Sequence, residues 1–121
     1  MTLLDPLHIA ATQDFINENP VAIVPMRRAR VSTGTGGYTL GAPVAQPALV
    51  VRKVGLNSVT GVQERVTPDG KSVIITANVI AAHDSGIEVN DYFAIGADTY
   101  VVNAISFDPP WRLRAEVYQR G

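Results

Sequence analysis

The C-terminal end of the chain alternates strictly between two kinds of side chain, and this pattern limits the possible folds more than any other feature. Every second position from 111 onward is apolar: Trp111, Leu113, Ala115 and Val117. The positions between them hold the polar or amphipathic residues Arg112, Arg114, Glu116 and Tyr118. A two-residue period with one apolar face indicates a strand that packs one side on a core and exposes the other to water. We therefore expect an antiparallel sheet.

Two further strands are predicted just before this one, at residues 91–95 and 99–107. Gly96-Ala97-Asp98 joins them as a tight turn, in which Gly96 is expected at positive φ. Asp108-Pro109-Pro110 then ends the second strand, because a proline has no N–H to donate to a ladder.

Four strands are predicted upstream, at residues 21–33, 49–56, 61–67 and 71–81. Pro25 lies inside the first and indicates an edge strand or a bulge. Pro68-Asp69-Gly70 predicts a turn between the third and the fourth. The fourth is apolar on both faces for part of its length, so we expect it at the centre of the sheet.

A short helix is predicted over residues 6–17, with an apolar stripe formed by Leu4, Leu7, Ala11 and Phe15. A helix of this length is marginal alone, so the stripe is expected to dock on the chain's own core. Together the elements predict a mainly β fold, a small antiparallel β-barrel or sandwich of about six or seven strands. One domain is expected to span residues 1–121.

Composition excludes several classes of function. The 121 residues include no cysteine and only two histidines, so a disulfide scaffold and a thiolate metal site are ruled out. The net charge of −1 argues against a dedicated nucleic-acid binder. No nucleophile, base and metal set is recognisable, and we expect neither enzymatic activity nor a cofactor. The N-terminus has no basic region of the kind found in signal peptides, and no membrane association is expected.

Residues 34–47 are predicted to form a long glycine-rich loop. They contain four glycines, two prolines and no charged residue. A phosphate-binding loop is disfavoured, because no Gly-Lys-Ser/Thr follows and prolines stand where a helix should begin. Ordering such a loop costs on the order of 1–2 kcal/mol per residue. We therefore expect it to be mobile in the isolated protein and to become ordered against a partner.

Arg27, Arg28 and Arg30 cluster on the first predicted strand. They are expected either to form a cationic patch that faces DNA or an acidic partner, or to keep a solvated edge charged against aggregation. Trp111 has two possible roles as well. It is either a core aromatic residue or an interface anchor.

The C-terminal third resembles a known family. Asp91 is an acidic residue at the start of the strand Asp91-Tyr92-Phe93, and Gly96 forms the turn after it. Tyr100-Val101-Val102 lies in the next strand, and Trp111 begins a terminal strand that ends in residues 116–121. This order is similar to that of the head-to-tail stopper, or head-closure, proteins of long-tailed bacteriophages. Asn90 departs from the pattern, because glycine is expected before the acidic residue.

The resemblance implies a β-barrel-like protein that forms a symmetric ring in the virion, at the head–tail interface, after synthesis in the host cytoplasm. The ring would lie between the portal or adaptor ring and the tail terminator or tail tube, and would close the channel on packaged DNA. The loop that projects into the channel would correspond to Gly34, Thr35, Gly36, Gly37, Tyr38, Thr39, Leu40 and Gly41. Arg27, Arg28, Arg30 and Trp111 would face an interface or the DNA.

Two other functions remain open. One is a tail terminator or another ring of the phage neck, which would also be a small protein with sheet and helix. The other is a small oligonucleotide-binding barrel, which requires basic residues interleaved with aromatic ones on one sheet face. Aromatic residues make up only 7% of the chain, which disfavours the barrel.

Overall fold

The structure, a computed structural model, describes residues 6–55, 63–67, 70–107 and 110–120, without the side chains of Arg30 and Gln63. The helix and strands, numbered in chain order, are α1 (Pro6–Glu18), β1 (Val21–Ile23), β2 (Met26–Arg27), β3 (Arg30–Ser32), β4 (Tyr38–Leu40), β5 (Val44–Ala45), β6 (Leu49–Gly55), β7 (Gln63–Val66), β8 (Ser72–Ile75), β9 (Ala77–Ala82), β10 (Tyr92–Ile95), β11 (Asp98–Ser106) and β12 (Arg112–Arg120).

Eight of these strands form one curled antiparallel sheet, in the order β1-β6-β9-β12-β11-β10-β2-β5. Two hairpins, β3–β4 and β7–β8, form separate two-stranded sheets. Strands account for 53% of the described residues and the helix for 13%, so the predicted mainly β fold with a short helix is confirmed. The curvature gives the large sheet the shape of a half-barrel.

The alternation along β12 sets which face of the sheet is buried. Leu113, Ala115 and Val117 are each at most 1% exposed and join the main core cluster. β9 lies between β6 and β12, as expected for the central strand. The other buried members of that core come from five strands and one loop: Ile23, Val51, Ala77, Val79, Ala81, Ile87, Phe93, Tyr100 and Val102.

The turn between β10 and β11 is as predicted. Ile95 pairs with Asp98, so Gly96 and Ala97 form a two-residue hairpin loop. Gly96 has φ +63°, and a glycine at the first central position is the signature of a type II′ turn. The twist of such a turn matches the twist of the strands that it joins. Two other predicted breaks, Pro68-Asp69 and Asp108-Pro109, lie outside the described residues.

Two predicted strands are interrupted in the structure. The segment 21–33 forms three short strands, and Pro25 lies between β1 and β2, where its missing N–H interrupts no ladder. The segment 71–81 divides into β8 and β9 at Thr76. The Thr76 N–H bonds the Val117 carbonyl at 3.0 Å although Val117 is the partner of Ala77. Thr76 and Ala77 thus both lie opposite Val117, and this arrangement is a β-bulge.

The glycine-rich segment 34–47 has more regular structure than we predicted. It contains β4, which pairs with β3, and β5, which pairs with β2. The Thr33 N–H bonds the Gly37 carbonyl at 3.2 Å and closes the turn between β3 and β4. Gly34 and Gly36 have φ values of +79° and +87°. The glycines therefore serve a tight turn, where side chains with a Cβ are disfavoured.

Helix α1 packs against β6 and β9, as predicted, but with a different face. Leu7 and Ala11 are exposed, whereas Thr12 and Ile16 are buried; Leu4 lies outside the described residues. The reason is a polar attachment at the end of the helix. Arg52 donates from Nη1 to the Phe15 carbonyl and to Glu18 Oε2, both at 3.0 Å, and its guanidinium lies 4.0 Å from the centre of the Phe15 ring.

Asn90 occupies a backbone conformation that favours glycine, with φ 75°. Its N–H bonds the Val102 carbonyl at 2.8 Å, and the next N–H, that of Asp91, bonds the Glu88 carbonyl at 3.1 Å. This geometry explains why glycine was expected at position 90. Asparagine is one of the few other residues that tolerate it.

We predict that Asn90→Ala lowers the free energy of unfolding by about 1 kcal/mol, because alanine has a Cβ and no local hydrogen bonding to offset the left-handed conformation. Asn90→Gly should be at least as stable as the natural protein. Urea denaturation of the three proteins measures the order. An alanine variant as stable as the glycine variant would contradict the left-handed backbone at this position.

Candidate functional site

Arg27 and Asp91 form a two-pronged ion pair between strands that otherwise meet at one residue. β2 pairs with β10 only through Met26 and Tyr92. Next to this contact, Arg27 Nε donates to Asp91 Oδ1 at 2.8 Å and Arg27 Nη2 donates to Asp91 Oδ2 at 2.7 Å. The pair therefore fixes β2 against the main sheet with the planar geometry in which arginine and a carboxylate fit best.

The carboxylate of Asp91 is almost completely buried, with 1% of the residue exposed. It accepts a third hydrogen bond from the Glu88 N–H, at 2.9 Å from Oδ2. Arg27 also donates from Nη2 to the Gly86 carbonyl at 2.8 Å and forms an ion pair with Glu88, 2.8 Å from Nη1 to Oε2. A buried charge is tolerated only when it is paired and hydrogen-bonded in this way.

The hydrogen bond to Asp91 raises the pKa of Arg27, and the negative charges of Asp91 and Glu88 add to this effect against the opposing effect of burial. When folding raises the pKa of a cationic group, the contribution of that group to the stability of the fold is fully present at any pH below its ordinary pKa. The guanidinium therefore stays charged at every physiological pH. Its acceptors lie within the chain, so Arg27 acts here as a brace for the fold.

Arg28 fastens the base of the β3–β4 hairpin. Its Nε donates to the Gly41 carbonyl at 2.8 Å, and the Gly41 N–H bonds the Ala29 carbonyl at 2.8 Å. A Cβ at position 41 would lie 3.5 Å from that same Ala29 oxygen. Arg28 is exposed, so its charge remains accessible to a partner. The side chain of Arg30 lies outside the described residues.

The β3–β4 hairpin contains the predicted channel-loop residues. Gly34, Thr35, Gly36 and Gly37 form its turn; Tyr38, Thr39 and Leu40 form β4; and Gly41 lies at its base. The hairpin is separate from the large sheet, and its large side chains are exposed: Val31 by 50%, Tyr38 by 54% and Leu40 by 50%. No charged residue occurs from position 31 to 51. The result is an exposed, neutral and partly apolar projection.

Trp111 lies apart from this hairpin, at the start of β12. It is partly buried, and its ring stacks on His8 of α1, with 4.1 Å between the ring centroids and 23° between the ring planes. The side chain thus holds the first half of the helix against the sheet. Arg27, Arg28 and Trp111 therefore contact different parts of the chain.

The Arg27–Asp91 pair could not be found from the sequence. Asp91 was recognised only as the acidic residue that opens a strand, and Arg27 only as one of three clustered arginines. The two are 64 positions apart, and sequence spacing carries no signal for such a contact. An acidic residue at the start of a predicted strand and an arginine within a cluster were the signs that the sequence offered.

Among the described residues, no group of three or more histidine and acidic side chains could hold a metal ion, and no helix has the length and apolar content to cross a membrane. No protein-family model and no curated protein matches this chain.

We predict that Arg27→Met lowers the free energy of unfolding by about 3 to 5 kcal/mol, because it leaves Asp91 buried and charged without its partner. Glu88→Gln is the matched control. Glu88 is 65% exposed, so the loss of its ion pair should cost about 1 kcal/mol or less. Chemical denaturation measures both, and equal losses in the two variants would contradict a special role for the buried pair.

Proposed function

We propose that this protein is a head–tail connector of a long-tailed bacteriophage, a stopper that forms a ring and closes the DNA channel. The observation that carries the proposal is the exposed β3–β4 hairpin, which has no charged residue after Arg30 at its start. It occupies the place in the chain at which the resemblance predicts the channel loop, between the early strands and the remainder of the sheet. The resemblance in residues 87–121 supplies the family.

The neutrality of the hairpin suits a closed ring. Symmetry brings the same segment of every subunit to the axis, where like charges at short distances would repel one another. Val31, Tyr38 and Leu40 offer apolar surface for contact between symmetry mates. The exposed Arg28 at the base of the hairpin provides a cation for the phosphates of DNA in the channel or for an acidic neighbour.

The fastening of the hairpin supports the same function. Arg28 bonds Gly41 at its base, and the Arg27–Asp91 pair fixes the preceding strand β2. The hairpin is therefore anchored at one end, and its two strands belong to a sheet separate from the large one. A plug that resists pressure along a channel requires this combination of a fixed base and an adaptable tip.

We predict that particles assembled without this protein contain heads that lose their DNA and tails that remain unattached. Electron microscopy of purified particles measures both defects. A gold label on the protein should lie at the head–tail joint, directly below the adaptor ring. A label at the upper end of free tails would instead indicate a tail terminator, and normal infectious particles would exclude both functions.

A pair of variants separates channel closure from assembly. Thr35→Glu places a ring of negative charge at the tip of the hairpin, and Thr35→Gln has nearly the same shape without the charge. The Glu variant should lower the infectious titre by about tenfold or more through repulsion of DNA and of its symmetry mates, with rings still present on the particles. Equal titres for the two variants would contradict a lumenal hairpin.

A further inference from the structure

The face of β12 that points away from the main core carries arginine side chains. The positions that alternate with the buried residues of this strand hold Arg112 and Arg114. Arg52 of β6 lies on the same face, because Ile80 of β9 pairs with Arg52 on one side and with Arg114 on the other. Helix α1 packs here as well, since Phe15 contacts Arg52. Three arginines therefore share the face on which the helix packs.

The acidic side chains on this face already have partners. Glu18 of α1 accepts a hydrogen bond from Arg52 at 3.0 Å. Glu116 is the next outward residue of β12, and its Oε1 lies 3.4 Å from Arg65 Nε. The side chains of the other two arginines have no hydrogen bond or ion pair within the part of the chain that the structure describes. Two positive charges are therefore left unbalanced on this face.

Arg112 is positioned by an aromatic ring and not by hydrogen bonds. Its guanidinium carbon lies 5.9 Å from the centre of the Phe15 ring, and that of Arg52 lies 4.0 Å from the same centre. The Nε of Arg112 is buried and has no hydrogen-bond partner in the described structure. Two like charges beside one ring repel each other, and a buried donor without an acceptor is unfavourable. A bound anion would relieve both, and Arg112 could turn toward it without breaking a hydrogen bond.

The spacing of Arg112 and Arg114 matches that of acidic side chains in an extended peptide. Residues two positions apart in a strand lie on one face, about 6.5–7 Å from each other along the strand. Two acidic residues separated by one position in an extended peptide have the same spacing and point to the same side. Each guanidinium fork fits a carboxylate with two parallel hydrogen bonds. Arg114 is exposed and Arg112 is partly exposed, so a partner can reach both.

A long polyanion such as DNA fits this face less well than a short acidic segment. Glu116 follows Arg114 on the same face of β12, and Glu18 stands beside Arg52. A run of phosphates longer than the arginine pair would meet these carboxylates and be repelled. The net charge of −1 opposes the approach of a polyanion as well. Charge complementarity therefore favours a segment with two acidic residues.

A second copy of this chain cannot supply such a segment in an extended conformation. The chain has 11 acidic residues, and none of them stands two positions from another. The acidic strand must therefore come from a different protein.

We propose that Arg112 and Arg114 form a docking site for an acidic segment of another protein. The segment binds in an extended conformation and carries two acidic residues separated by one position. Each carboxylate accepts hydrogen bonds from one guanidinium. The site lies on β12, in a different sheet from the β3–β4 hairpin, and the proposal stands whether or not the protein forms a ring.

A displayed library of random peptides of about twelve residues, selected on the natural protein, is the probe. The selected binders should be enriched at least about threefold over the starting library in pairs of acidic residues separated by one position, because only this spacing meets both arginines in register. A library without binders, or binders without this enrichment, would overturn the proposal.

Changes in the best binder separate docking in register from general attraction between charges. Replacement of both acidic residues by their amides should weaken binding by about tenfold or more. A shift of one acidic residue to the position next to the other keeps the net charge but turns that side chain to the other side of an extended peptide. The shifted peptide should bind at least about threefold more weakly. Equal binding of the original and the shifted peptide would overturn the proposal.

Variants of the exposed residue Arg114 test the protein side by fluorescence anisotropy of the labelled binder. Arg114→Gln should weaken binding by about tenfold, and Arg114→Lys by about threefold, because lysine keeps the charge but not the planar fork. Lys71→Gln is the matched control, since it removes the same charge from another exposed position and should bind within about twofold of the natural protein. Equal losses for Arg114→Gln and Lys71→Gln would reduce the effect to net charge and overturn the proposed site.

Discussion

The buried ion pair of Arg27 and Asp91 is the interaction on which the arrangement of the N-terminal half depends. β2 has two residues and pairs with β10 at a single register position, which is too little to hold it in place by main-chain bonds alone. The two hydrogen bonds from Arg27 to Asp91 supply the rest of the attachment of β2. No other side chain can pair with a buried carboxylate in an equally favourable geometry. β5 is attached to the sheet only through β2, and the β3–β4 hairpin lies between them in the chain.

The large sheet has a well-packed centre, whereas the strands around this centre, which we call the margins, are incompletely paired. β9, β12 and β11 form a continuous apolar layer, with Val79, Ala115 and Val102 fully buried. Around it, the β3–β4 and β7–β8 hairpins form two-stranded sheets of their own and carry exposed valine, isoleucine, leucine and tyrosine side chains. Unpaired strand edges and exposed apolar groups favour aggregation unless they are covered. This distribution is therefore expected for a protein whose outer strands pack against other subunits. The proposed channel hairpin lies in these margins.

Local sequence rules were sufficient wherever the physical cause was local. The period of two along residues 111–118 and the glycine turn at position 96 follow from side-chain alternation and backbone freedom. Of the segment 71–81 predicted as the central strand, only the second half, in β9, lies inside the large sheet. Asn90 adopts the left-handed conformation, which glycine favours and asparagine tolerates. The apolar stripe of α1 was wrong, because Arg52 anchors the end of the helix and turns Thr12 and Ile16 toward the sheet. The spacing of apolar residues cannot register a contact 37 positions away.

The sequence by itself determined the mainly β class, the buried face of β12 and the neutrality of residues 31–51, since these depend on the identity and the order of neighbouring residues. Tertiary structure alone decided that Arg27 meets Asp91, that Trp111 stacks on His8, and that a bulge at Thr76 divides β8 from β9. These features join segments that are distant in the chain, or depend on the strand across the sheet. Their free energy depends on three-dimensional geometry and burial, which no periodicity in the sequence encodes.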